Sequence, residues 1–150
     1  MNITPEWTSA IASTVAAIGV FFAFGQLRVS KNIAQLQFED GLAKEYRELA
    51  SRIPTKALLG QALPDNEYDE AFDEFYRYID LSNEQVSLRQ RGRIGSAVWT
   101  YWSSGIKTNL ALPSFSRAWL DIQNQSTTFQ ELRRLVAEEF NVDPKSWTDA

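Results

Sequence analysis

The chain is predicted to be all-α: a single N-terminal transmembrane helix that runs on into a cytoplasmic stalk, followed by a compact cytoplasmic helical bundle. Three observations predict this. From Trp7 to Leu27 no residue carries a charge over twenty-one positions, and Arg28 and Lys31 follow at once. No proline interrupts the chain between Glu6 and Pro54. Beyond Pro54 the apolar residues recur at steps of three and four, and no alternating strand pattern competes with them. The expected division is an anchor over 1–27, a stalk over 28–53 and a helical domain over 54–150.

At a rise of ~1.5 Å per residue the uncharged stretch makes a helix of roughly 31 Å, enough to cross a hydrocarbon core of about 30 Å once. A cleaved signal peptide is disfavoured because Met1 to Glu6 carries an acid and no Lys or Arg. A buried core helix is disfavoured because Val15 to Gly25 is apolar all round, and the remaining chain is too short and too amphipathic to wrap it. The basic residues all follow the stretch, so the C-terminal side is expected in the cytoplasm and the N-terminus outside. Trp7 then stands where an outer interfacial anchor belongs. Within the span, Ser9, Ala12, Ala16, Gly19 and Ala23 fall on one helix face. Such a small stripe lets two backbones approach closely and predicts a homo-oligomer, although Ala and Gly are common in any membrane helix.

After the membrane, Ile33, Leu36, Leu42, Tyr46, Leu49 and Ile53 continue the helical spacing until Pro54, with Gly41 as the weak point of a stalk continuous with the anchor. Residues 54–66 read as a turn-rich connection punctuated by Gly60 and Pro64. A helix then begins near Asp65. Its acidic first turns suit a helix N-terminus, and Tyr68, Phe72, Phe75 and Ile79 form its buried stripe. The stripe meets Asn83 and Glu84 where apolar residues are expected, and the helix ends around Gly92. Ile94 to Leu110 is the next helix, with Val98, Trp99, Trp102 and Ile106. Pro113 opens another that buries Phe115, Ala118, Trp119 and Ile122, since proline in a first turn loses no hydrogen bond. Thr128 with Glu131 forms a capping box for a last helix whose face is Phe129, Leu132, Val136 and Phe140.

Composition excludes much. Without cysteine or histidine there are no disulfides, thiol nucleophiles, imidazole bases or usual zinc sites. No nucleotide-cradling loop, calcium loop or other catalytic motif occurs, so no enzyme, cofactor or metal is expected. A net charge of −4 argues against dedicated nucleic-acid binding despite the local knot of Arg89, Arg91 and Arg93. The polar residues Asn83, Glu84, Arg89, Arg91, Arg93 and Asn109, together with Trp99, Trp102 and Trp119, have two readings. They line a pocket, subunit contact or contact with a cytoplasmic protein partner, where Arg and Trp are favoured anchors, or they are internal wiring that satisfies helix ends.

The order Tyr78, Asp80, Leu81, Asn83, Glu84, then Gly92, Arg93, Ile94, then Trp99, Trp102, Gly105, Ile106, Asn109, Leu110, then Pro113, Phe115, Ala118, Trp119 resembles a group of small, uncharacterised bacterial and phage proteins. These join one N-terminal span to a cytoplasmic helical domain. In architecture the chain also resembles, more distantly, the membrane accessory proteins of RNA-targeting CRISPR systems, whose spans assemble into a ring and whose domain is similar to HEPN folds. The ribonuclease motif of those folds pairs Arg with His, which this chain lacks. The expected function is therefore a non-enzymatic, self-associating membrane protein that presents a helical interaction domain. The alternative is a pore-forming or membrane-perturbing effector, as in antiviral defence, with Ser9 and Ser13 facing water and the Phe cluster as its gate.

Overall fold

The computed structural model describes the backbone of residues 5–147 and the side chains of residues 25–147. Its elements among these residues are all helical: α1 (Pro5–Ala50), α2 (Thr55–Leu58), α3 (Asp65–Gln90), α4 (Ser96–Leu110), α5 (Pro113–Gln125), α6 (Gln130–Ala137) and a 3-10 turn over Pro144–Ser146. The chain divides into two compact units, 1–38 and 39–150. Among the described residues no helix is long and apolar enough to cross a membrane. Most of the expected span Trp7 to Leu27, and its whole stripe Ser9, Ala12, Ala16, Gly19 and Ala23, lies outside the described side chains.

In the first unit Leu27, Val29, Ile33 and Leu36 are exposed. The second unit begins at Glu39, inside the segment read as stalk, and it buries Leu42, Leu49 and Ile53. Leu42 and Leu49 carry the stripe by which the end of α1 joins the packed domain, and Ile53 lies in the turn that follows, since α1 stops at Ala50 rather than running to Pro54.

α3 is the hub of that domain, packing against α5, α6 and the 3-10 turn, while α5 also meets α4 and α2. Its stripe buries Tyr68, Phe75 and Ile79 as the spacing predicts and continues through Val86, whereas Phe72, expected inside, is only half-buried. Phe115 from α5, with no exposure, sits edge-on to Phe75 at 4.9 Å and to Tyr78 at 5.0 Å between ring centres. This edge-to-face arrangement brings the positive rim of one ring to the negative face of another. α5 buries all four residues expected of it, Phe115, Ala118, Trp119 and Ile122.

Local signals also set where α3 stops. Gly92 adopts a left-handed φ of 68°. There Arg93 N donates to Leu88 O at 2.9 Å and Gly92 N to Arg89 O at 2.9 Å, a Schellman closure that satisfies two terminal carbonyls. The start of α4 is served from a distance: Glu39 Oε1 accepts from Gly95 N at 2.7 Å, placing a carboxylate at the positive end of that helix.

Two local expectations give way to tertiary structure. Residues 55–58 form the helical turn α2 rather than irregular chain, because fully buried Ala57 is held against the core. The capping box of Thr128 and Glu131 does not form. Thr128 N donates instead to Ser126 Oγ at 2.9 Å, and Phe129, buried at the edge of the core, takes a left-handed φ of 62° just before α6. The cap arrives from α3, where Asn83 Oδ1 accepts from Leu132 N at 2.9 Å, the third residue of α6. Arg133 holds the preceding loop by donating to Thr128 O at 2.7 Å and Ser126 O at 2.6 Å.

Candidate functional site

The sequence-predicted polar residues do not gather at one place. Asn83 caps α6. Arg89, only 4% exposed, makes a bidentate pair with Asp143 and donates from Nη1 to Ile94 O at 2.7 Å. These two are internal wiring. Glu84 is exposed rather than seated in the apolar stripe, and it lines a shallow groove with Arg52, Arg77 and Asp80. Arg91 and Arg93 are exposed at the turn after α3. Trp99 and Trp119 belong to the core, with the Arg133 guanidinium 5.6 Å from the Trp119 ring centre.

Trp102 and Asn109 come together, and they do so at a cleft. It lies within the 39–150 unit, between the end of α1, the middle of α3 and α4, with a volume of about 480 Å³. That size falls within the roughly 300–1,000 Å³ of ordinary small-molecule sites. Helical spacing builds each wall. Tyr46 and Arg47 project from the last turn of α1, Tyr78, Leu81 and Gln85 from one face of α3, and Trp102, Ile106 and Asn109 from one face of α4. Tyr46 meets Tyr78 edge-on at 6.2 Å. Tyr101, at the mouth, is 79% exposed.

The floor is polar in a specific way. Asn109 Nδ2 donates to Tyr78 Oη at 3.0 Å. Burial pushes the Tyr78 phenol up to about 12, against the opposing pull of its bonds to Asn109 and Ser82, so it remains a neutral O–H donor at physiological pH. Beside it Gln85 is 5% exposed, and its carboxamide makes no hydrogen bond to any described residue. Among the described residues the fully buried side-chain oxygen without a partner is Glu74 Oε2, so the Gln85 carboxamide, although the residue is mostly buried, still reaches solvent at the cleft. Gln85 thus presents an unused donor and an unused acceptor to the cleft. Arg47 is the one charged side chain among the described residues that line it.

Gly105 opens the cleft on the α4 side. A Cβ built on it meets no atom within 4 Å, and its φ is not of the left-handed kind, so neither packing nor backbone geometry calls for glycine there. Glycine inside a helix costs roughly 0.8–1 kcal/mol relative to alanine. Gly105→Ala is therefore expected to raise the unfolding free energy by about 1 kcal/mol. A thermal melt of the two proteins checks it, and an unchanged or lower midpoint would show that the backbone there is strained.

Sequence reasoning singled out Trp102 and Asn109 but missed Gln85, Tyr46 and Arg47. Gln85 carried one usable signal, a polar residue one position before Val86 on the buried side of the α3 stripe. Asp143, the partner of Arg89, had none, being 54 positions away. No cluster of His, Cys, Asp or Glu able to hold a metal ion occurs among the described residues. No protein-family model, curated protein or solved structure matches the chain.

Proposed function

We propose that this chain is a non-enzymatic recognition protein of the bacterial inner membrane, anchored once and self-associating through Trp7 to Leu27, with the 39–150 unit as its cytoplasmic binding domain and the α1/α3/α4 cleft as its recognition site. The observation that carries this reading is the unpartnered Gln85 carboxamide in a cleft walled by rings. Its groups are amides, a high-pKa phenol, aromatic faces and one guanidinium, a set that binds and orients. The anchor rests on the uncharged twenty-one-residue stretch with Arg28 and Lys31 behind it, and the self-association on the small stripe.

Three measurements on the full chain test the two halves. The protein should stay in the membrane pellet after alkaline carbonate washing and show more than one copy by native mass spectrometry in mild detergent, with Gly19→Leu reducing the copy number. Release by carbonate refutes the anchor, and a monomer refutes self-association. A fragment screen by thermal shift should find compounds that stabilise the wild type but not Gly105→Leu, whose side chain narrows the cleft on the α4 side. A screen in which every hit also stabilises Gly105→Leu overturns the cleft as the site.

A further inference from the structure

We infer that the cleft takes a planar heteroaromatic ring carrying one anionic group, the chemistry of a nucleoside monophosphate. This rests on the reading of the cleft as the recognition site and names what it recognises. Tyr46, Tyr101 and Trp102 line it, and such ring faces hold flat ligands by offset stacking without regard to their substituents. Gln85 supplies the selectivity. A carboxamide offers an N–H donor beside a C=O acceptor, which matches a ring edge with an acceptor beside a donor, as glutamine pairs with the adenine edge. A hydrocarbon ring would displace solvent from this amide and leave both halves unmade. The Tyr78 hydroxyl is a third polar group on the same floor.

Charge selects the rest of the ligand. Arg47 stands on the wall at the end of α1, and no acidic side chain among the described residues lines the cleft. A guanidinium fork binds phosphate or carboxylate through two parallel hydrogen bonds. One cation suits one anion, whereas a net charge of −4 disfavours a nucleic-acid polymer. The missing side chain of Gly105 leaves room for the ring beside α4.

The test is isothermal titration calorimetry on the full chain in mild detergent. The probes are the four ribonucleoside 5′-monophosphates, their uncharged nucleosides, and 2-naphthoate as a flat anion without a heteroatom edge. Gly105→Leu is the matched blank for uptake by detergent. At least one monophosphate should bind, and its nucleoside should bind about tenfold more weakly or worse, the loss of one charge-assisted contact. Arg47→Gln should bring the monophosphate down to the affinity of its nucleoside. Gln85→Leu should erase discrimination among the four bases, and since it removes an unpartnered polar group its melting temperature should not fall, which separates lost recognition from lost folding. Equal affinity for nucleoside and monophosphate overturns the anionic part. Binding of 2-naphthoate to the wild type but not to Gly105→Leu, with no monophosphate bound, overturns the ligand class and leaves the cleft as a recognition site. No probe bound overturns the ligand class, and the fragment screen then decides separately whether the cleft recognises anything. A monophosphate bound equally by Gly105→Leu lies elsewhere and overturns the assignment to this cleft.

Discussion

Phe115→Ala is expected to lower the unfolding free energy by about 4 kcal/mol, the usual cost of truncating a fully enclosed phenylalanine. Three effects add. The ring loses its burial, it leaves a void at the meeting of α3 and α5, and two edge-to-face contacts, to Phe75 and Tyr78, disappear together. Neither neighbour can close the void easily, because Phe75 is itself without exposure and stacks on Tyr68 at 5.9 Å, while Tyr78 is tied to Asn109. Urea unfolding of the full chain, followed by tryptophan fluorescence, measures the change. A loss under about 1.5 kcal/mol would mean that the core collapses around the site and that the ring is not its centre. The same substitution removes the support behind Tyr78, so the cleft floor should loosen along with the core.

Asp143→Ala should cost about 3 kcal/mol, although the side chain it removes is partly exposed. The asymmetry of the pair is the reason. The Asp143 side chain is 43% exposed, whereas that of Arg89 is 5% exposed. Removing the carboxylate leaves a guanidinium in the interior with only the Ile94 carbonyl for company, an uncompensated buried charge. Removing Arg89 instead leaves a carboxylate that water can reach. Arg89→Met should therefore be the milder change on the electrostatic side, although it too strips the Ile94 carbonyl of its partner. Comparison of the two variants by denaturant unfolding decides the matter, and equal losses would show that the pair acts through packing alone.

The pH dependence follows from the same contact. The Arg89 hydrogen bonds hold Asp143 below its ordinary value of 3.8, against the opposing effect of burial. A carboxylate lowered in the folded state contributes stability that is fully present above the ordinary value and is lost as pH falls through the lowered one. The wild type should thus lose stability on acidification below about pH 4, and Asp143→Asn should show a flatter acid limb. An acid limb unchanged by Asp143→Asn would assign the loss to other carboxylates.

The sequence by itself determined the longer helices and most of their inward faces. Pro54, Pro113 and Gly92 mark boundaries through rules that act over a few residues, and the spacing of Phe75, Ile79, Phe115 and Trp119 settles which side of a helix avoids water. Tertiary structure alone decided where polar side chains find their partners. Asn83 caps a helix 49 positions on, Arg89 reaches Asp143 across 54, and the local capping box at Thr128 is displaced because a distant oxygen and a buried Phe129 outweigh it. Periodicity records that a position is turned inward, but it holds no information about which element lies opposite. Asn83 and Gln85 are two positions apart on α3. One faces the free Leu132 N–H in the first turn of α6 and bonds it, while the other faces the gap between α1 and α4 and bonds no described residue, because hydrogen bonds depend on distances that only packing sets.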